Sequence, residues 1–466
     1  MLEVMFMKGK NLATALAEIN KATKKTRDFI NSIVDENSFV ETDTFLSSKA
    51  FDENEAIGEG VICGYATFNG NPVQIFAQNP DVLKGSLSKA QALKIEKCMD
   101  RAIESLTPLI SIIDSCGARV GDGVSILEGY ASILRKSDFL KESVPHICVV
   151  NGVSVGLTSA YVASADFVFM AKDAVMSLNS PMYLVSDAKT FPVDYKKALG
   201  YEAYAKNSTM AQFTYKDAKD LQAKLDTLFD TVYTEDNDSE DDPNRVNPEL
   251  VNADAFAVAK DIVDAGTLLE YAPEYANDVL CAFAKINGLP VAVLATKGDY
   301  MSSEALDKAT EFAKLVYKVD VDLITLVDTK GINSNLSQEL AGYAKKAYSF
   351  ISAISNIETN KIGVAVGNAF GFGYTALMSK GVGFGYTLAT EGAKISPVAE
   401  EVAVAMMADQ LKAQDRNDNI EKLSKEYAEM QEDPIKVAKE GYLDNVVEAT
   451  NLRPYLASAL MMLKGI

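Results

Sequence analysis

Two glycine-bearing turns are the places where this chain could stabilise negative charge: GVSVGLTSAYVA from Gly152 and GNAFGFGYTALM from Gly367. Each follows an apolar run and leads into a helix-compatible segment. A strand-to-helix turn leaves the first N–H groups of the helix without intrahelical partners, and together with the helix dipole they can hold a developing oxyanion. Glycine lets a ligand approach the backbone closely and accepts unusual dihedrals. Such a turn would stabilise an enolate by preorganised donors, with no titrating side chain. Tight packing of helix on strand is the other use of such glycines. Their recurrence at matching places in the two halves favours the functional use.

Side-chain chemistry is scarce elsewhere. His146 is the single histidine and there is no tryptophan. Ser-His-Asp, Cys-His and His-rich metal mechanisms each need a histidine beside a nucleophile or metal. His146 opens the apolar run VPHICVV, where a strand-entry polar residue finds a local backbone partner, and it is read as structural. The five cysteines (Cys63, Cys98, Cys116, Cys148 and Cys281) are widely spaced, with no metal-type pattern. They read as reduced thiols, and no metal is expected. A formal net charge of −20 and a pI near 4.6 argue against nucleic acid or an anionic membrane as partner. The opening MLEVMFMKGKNLATALAEINKATKK lacks a cleavage pattern and no run is long enough to span a bilayer, so a cytoplasmic protein is expected.

The elements that must position the turns follow from periodicity. Residues 11–35 carry apolar positions at helical spacing, which predicts a helix or helix pair. VICGYATFNGNPVQIFAQ reads as a hairpin turning at Asn69-Gly70, followed by a helix over SKAQALKIEKCMDRAIES and a buried parallel strand at PLISIIDS. This order indicates βαβ units.

The pattern then returns. Phe68-Asn69-Gly70-Asn71-Pro72-Val73 is matched 218 residues later by Ile286-Asn287-Gly288-Leu289-Pro290-Val291. The strand ending Ile113-Asp114-Ser115 is matched 214 later by Val327-Asp328-Thr329, and Gly152 and Gly156 are matched 215 later by Gly367 and Gly371. At 466 residues two domains are expected. Between the copies, TVYTEDNDSEDDPNRVNPEL is dense in acid and reads as a solvated linker, placing a boundary near Glu240 between domains 1–240 and 241–466.

Several motifs now carry a resemblance: SFVE at Ser38, GEGVICGYATFNGNPV at Gly58, KGSLSKAQALKI at Lys84, DSCGARVGDGV at Asp114, VVNGVSVGLTSAYVASADFVFM at Val149, NAFGFGYTALMSK at Asn368, and GYLDNVV with LRPYL near the C-terminus. In this order they resemble the carboxyltransferase subunits of biotin-dependent acyl-CoA carboxylases and decarboxylases, over nearly the whole chain. The resemblance implies an α/β chain of two tandem crotonase-like ββα domains, the first for acyl-CoA and the second for biotin. It implies a transferase moving a carboxyl group between biotin on a carrier protein and a short-chain acyl-CoA, with one enolate held at each turn. Biotin itself is then the base.

Carried across, the acyl-CoA hole lies at Gly156, Leu157 and Thr158, and the biotin hole at Gly371, Phe372 and Gly373. Gly117, Ala118 and Arg119 border the coenzyme, with an ion pair as the other role for Arg119. The resemblance also implies a hexamer built as a trimer of dimers, in which each site joins the first domain of one subunit to the second of its partner. The chain shows neither a biotin carboxylase segment nor a biotinyl motif, so a carrier protein and a biotin carboxylase or membrane decarboxylase subunit are expected as partners. Four positions depart from the pattern. Cys116, Leu157 and Phe372 stand where the family has glycine, and Thr375 stands where it has an aspartate that selects acyl length.

Two other readings use the same residues. A divergent acyl-CoA-binding scaffold would explain Leu157 and Phe372. A duplicated hydratase or isomerase would need paired carboxylates close after Gly156 and Gly371, where there are none.

Overall fold

The computed structural model describes residues 11–47, 56–181, 184, 194–233, 239–332, 335–408, 422, 424–427 and 433–465. It divides into two compact units, Met1–Lys224 and Leu225–Ile466. The division falls inside a helix, Ala218–Tyr233, ahead of the acidic run.

The first unit opens with the helix pair α1 (Leu12–Ala22) and α2 (Lys24–Asn31), as the apolar spacing predicts. Its sheet holds β1 (Val40–Thr42), β2 (Val61–Phe68), β3 (Asn71–Gln78), β4 (Leu109–Ser115), β5 (His146–Val155), β6 (Phe167–Ala171), β7 (Val175–Ser177) and β8 (Phe213–Tyr215). The order is β1-β2-β3-β4-β5-β6-β8, with β7 pairing the end of β5. Only β1–β2 and β2–β3 are antiparallel. Helices α3 (Lys89–Ser105) and α4 (Ser125–Ser143) make the crossovers, and α5 (Leu157–Val162) follows β5.

The second unit repeats this plan. Its sheet contains β9 (Leu269–Glu270), β10 (Val279–Ile286), β11 (Leu289–Thr296), β13 (Asp322–Thr329), β15 (Lys361–Phe370), β16 (Tyr386–Thr390), β17 (Lys394–Ser396) and β18 (Asn445–Val447). The order is β9-β10-β11-β13-β15-β16-β18, with β17 on the end of β15, and β12 (Tyr300–Met301) and β14 (Gly331–Ile332) pair separately. Its helices include α6 (Ala255–Ile262), α7 (Ser303–Val319), α8 (Tyr343–Asn356), α9 (Phe372–Leu377) and α10 (Leu452–Lys464).

Local chemistry explains the shared plan. Each hairpin turns on Asn-Gly, with φ of 49° and 77° at Asn69 and Gly70 and 52° and 74° at Asn287 and Gly288. These left-handed values are what a two-residue hairpin turn requires. A carboxylate caps each turn: Asp35 accepts the N–H of Asn69 (2.9 Å) and Gly70 (2.8 Å), and Asp264 accepts those of Asn287 (3.0 Å) and Gly288 (2.7 Å). The crossover helices α3 and α7 are N-capped by Ser88 and Ser302 and end in left-handed residues, Leu106 and Asp320. Each carries one buried lysine whose ammonium caps two carbonyls, Lys94 on Gly58 and Val61, Lys308 on Tyr275 and Val279.

The acidic run stays largely exposed, as expected of a solvated segment, but its described part is also tethered. Residues 234–238 lie outside the described residues, but those after them dock on the second unit. Arg245 pairs with Asp241 (3.2 Å) and Asp261 (3.1 Å), and Asn247 donates its N–H to the Thr450 carbonyl (3.1 Å). Arginines neutralise the like charges that would otherwise keep the segment untethered. Arg453, only 1% exposed, completes the arrangement by binding Asp264 (2.6 Å), the Ile262 carbonyl (2.6 Å) and the Asp242 carbonyl (3.1 Å). Among the described residues no helix is long and apolar enough to cross a membrane.

Arg453 therefore ties the C-terminal helix to the hairpin cap. Removing one partner of a buried ion pair costs about 3–5 kcal/mol. Arg453→Met is expected to lose that much in urea unfolding of the full chain. A loss below about 1 kcal/mol, the scale of a surface pair, would show that Asp264 is solvated instead.

Candidate active site

Both turns are built the same way. Gly156, between β5 and α5, has φ 74° and ψ −146°, and Gly371, between β15 and α9, has φ 47° and ψ −110°. Side chains rarely adopt such backbone. The N–H of Gly156 is bound by the Ser177 carbonyl (2.9 Å) and that of Gly371 by the Ser396 carbonyl (3.0 Å). The glycines' own N–H groups are thus engaged in structure, which corrects the expectation that they point at a ligand. The donors left by the turns are those of Leu157 and Thr158, and of Phe372 and Gly373, since the opening N–H groups of a helix have no intrahelical acceptor.

The glycines differ in what surrounds them. A Cβ at Gly156 would meet nothing within 4 Å, which leaves open space for a ligand against the backbone. A Cβ at Gly371 would stand 3.0 Å from the Pro397 carbonyl, and one at Gly373 would overlap Thr329 at 2.4 Å. Gly373 is therefore demanded by packing of α9 on β13. Leu157 is 38% exposed. Phe372 turns toward α8, its ring centroid 6.1 Å from that of Phe350, so the large side chain leans on the core. Thr158 is buried and its hydroxyl meets that of Tyr130 (3.0 Å), while Thr375 is exposed and donates back to the Gly371 carbonyl (3.0 Å). Burial raises the Tyr130 phenol above its ordinary range.

The strand beside each turn also repeats. Gly117 (φ 96°) and Gly331 (φ 109°) donate their N–H to Ser115 Oγ and Thr329 Oγ1, each at 3.1 Å. A Cβ at Gly117 would stand 2.8 Å from the Val155 carbonyl, and one at Gly331 3.9 Å from the Phe372 nitrogen. At Gly331, which the sequence marked only as part of the repeat, a Cβ would make only ordinary contacts, so it is the left-handed φ that calls for glycine. Ala118 is exposed beside Gly117.

Arg119 is held within its own unit. It is 6% exposed, its Nη1 lies 2.8 Å from Oε2 of the fully buried Glu59, and Nη2 donates to the Ser86 carbonyl (3.3 Å). Of the two roles open to it from sequence, the ion pair is the one its side chain makes. His146 is buried and structural, but its ring partners are side chains rather than local backbone, Nε2 lying 2.8 Å from Ser111 Oγ and 3.1 Å from the Tyr161 hydroxyl. No metal-binding group of His, Cys, Asp and Glu occurs among the described residues, and all five cysteines are free thiols.

Two carboxyls had no role assigned from sequence. Asp114 and Asp328 interrupt otherwise buried strands at equivalent positions, and burial raises both above the usual carboxylate range. An acid repeated at the same register of two apolar strands was the signal that could have found them.

The model of the carboxyl transferase domain matches residues 18–465. The chain belongs to the carboxyl transferase family. Among relatives, it is 30% identical to the methylmalonyl-CoA carboxyltransferase 12S subunit of Propionibacterium freudenreichii subsp. shermanii, over 87% of this chain and 81% of the relative. It is 25% identical to the propionyl-CoA carboxylase beta chain of Roseobacter denitrificans, over 96% and 92%. It is 27% identical to the methylmalonyl-CoA decarboxylase subunit alpha of Propionigenium modestum, over 87% and 83%. The transcarboxylase 12S structure, a hexamer with hydrolysed methylmalonyl-coenzyme A bound, superposes with a TM-score of 0.88 at 25% identity, covering 97% of this chain and 94% of that one. The two sheets are the crotonase-like architecture that the sequence led us to expect.

The reassignment of Arg119 can be tested. Arg119→Met should destabilise the family member by about 3–5 kcal/mol, because Glu59 is left charged and buried. Adding Glu59→Gln should recover most of the loss. A coenzyme-clamping arginine would show no such rescue in the absence of coenzyme.

Proposed function

We propose that this chain is the carboxyltransferase component that moves a carboxyl group between biotin on a carrier protein and a short-chain acyl-CoA. The observation that carries the reading is the pair of turns, each with a spent glycine N–H and two donors beyond it, one in each unit. A carboxyl transfer needs two anionic oxygens stabilised in turn, and preorganised backbone donors do this without a titrating group.

In this reading the N–H groups of Leu157 and Thr158 hold the thioester oxygen of the acyl-CoA, in the open space beside Gly156, with Gly117 and Ala118 bordering the coenzyme. Those of Phe372 and Gly373 hold the ureido oxygen of biotin. Biotin supplies the carboxyl carrier and the base. The residues fit such a group because the site offers donors and open backbone rather than acids or bases. Thr375, exposed one turn into α9, stands at the position where acyl length is selected. Carrier protein, biotin carboxylase or membrane decarboxylase subunit, a hexamer of paired subunits and a cytoplasmic setting complete the proposal. The relatives named for carboxylation and decarboxylation, and the 12S hexamer with its bound coenzyme A derivative, support it.

The test is decarboxylation of methylmalonyl-CoA or malonyl-CoA by the full chain with free biotin. Biotin-dependent turnover is expected. Binding of several acyl-CoAs with no turnover would favour the scaffold reading instead. Gly156→Ala and Gly371→Ala should each lower turnover about 10²-fold, because a side chain at such a φ displaces the donors that follow it. Gly266→Ala, which introduces a side chain at a comparable φ of 79° in open space, serves as the control for strain alone.

A further inference from the structure

The two parallel ladders that end at the turns break at the same place. In the first unit Ile113 pairs with Val150 but Ser115 pairs with Ser154, so β5 carries an extra pair of residues opposite Asp114. In the second, Val327 pairs with Ala365 and Thr329 with Ala369, opposite Asp328. Such a bulge leaves an N–H outside the ladder and redirects the strand beyond it. The carboxylates take up those N–H groups: Asp114 Oδ1 accepts from Val153 (3.0 Å) and Asp328 Oδ1 from Asn368 (2.9 Å).

The glycines at 152 and 367 make room for them. A Cβ there would stand 2.4–2.5 Å from the Asp114 carboxyl atoms and 2.3–2.8 Å from those of Asp328. Neither glycine has a positive φ, so space, not backbone conformation, requires it. Among the described residues neither aspartate has an ion-pair partner. The acids near them are Asp81 and Asp173 on one side and Asp254 on the other, and burial raises both carboxyls. A surface hydrogen bond would not need a carboxyl held at this cost.

We propose that Asp114 and Asp328 are positioning residues, each setting the aim of the turn in its own unit by holding the bulge three residues before its glycine. Ser154 and Val155, or Ala369 and Phe370, are all that separate the pinned N–H from Gly156 or Gly371. A displaced bulge is therefore passed on to the donors, and misplacement by about 1 Å costs on the order of 10²-fold in rate. The inference rests on the reading of the turns as the two enolate sites.

The experiment uses the full chain, methylmalonyl-CoA and free biotin. Asp114→Ala and Asp328→Ala should each lower kcat about 10²-fold. The accompanying change in KM should be confined to the acyl-CoA for the first and to biotin for the second. Asn, which keeps an oxygen acceptor for the N–H, should recover kcat to within about 5-fold in both positions. If an alanine variant fails to fold, Gly152→Ala with Asp114→Ala, or Gly367→Ala with Asp328→Ala, refills the notch without restoring the acceptor and should be as slow. Retained kcat in the alanine or double variants overturns the proposal, as does an Asn variant as slow as Ala. An inactive parent chain would instead overturn the proposed function.

Discussion

The bond from the Gly156 N–H to the Ser177 carbonyl, and its copy from Gly371 to Ser396, is the constraint on which both sites depend. A short parallel strand, β7 or β17, is laid against the end of the long one to provide that carbonyl. With the bond made, the chain leaves the sheet through a dihedral that favours glycine and enters a helix at once. The next donors are then fixed in direction by the sheet rather than by a loop. Rigid placement matters here because stabilisation of a developing charge by backbone dipoles depends on their being oriented before the charge appears.

What the duplication has kept and what it has changed divide along a physical line. The kept groups bind backbone: the hairpin-capping Asp35 and Asp264, the carbonyl-capping Lys94 and Lys308, Ser115 and Thr329 under the turn glycines, and Asp114 and Asp328 on the bulges. Where the copies differ, a side-chain cluster in one unit stands opposite a backbone cap in the other. His146 belongs to a side-chain trio with Ser111 and Tyr161, whereas Lys361, at the equivalent strand entry, caps the carbonyls of Ile354, Ile357 and Val382. A group that holds backbone can be replaced only by one of the same reach and polarity. A buried side-chain cluster can be exchanged whole, provided every polar atom again finds a partner.

The same line separates what the sequence made legible from what it did not. Hairpins at Asn69-Gly70 and Asn287-Gly288, the crossover helices and the buried strands are local patterns, and they were readable along with the repeat that relates them. Partners distant in sequence were not. Glu59 lies sixty residues before Arg119, so nothing near the arginine told its two roles apart. The acidic run looked like a free linker because Arg453, which helps to hold it, lies more than two hundred residues further on. The use of the turn glycines' own N–H groups was hidden for a like reason, since Ser177 and Ser396 belong to short strands with no periodicity of their own.

Leu157 and Phe372, where the resembling family has glycine, can be understood from the same geometry. A helix-opening N–H points along the axis, away from the side chain of its own residue, so the donor survives the substitution. What changes is the wall of the site. Phe372 rests its ring toward Phe350 and so narrows the second turn only partly, while Leu157 keeps more than a third of its surface open beside the first. In the proposed reading the apolar surface added by Leu157 lies next to the acyl group. It therefore bears on which acyl chains fit, and leaves the two backbone donors in place.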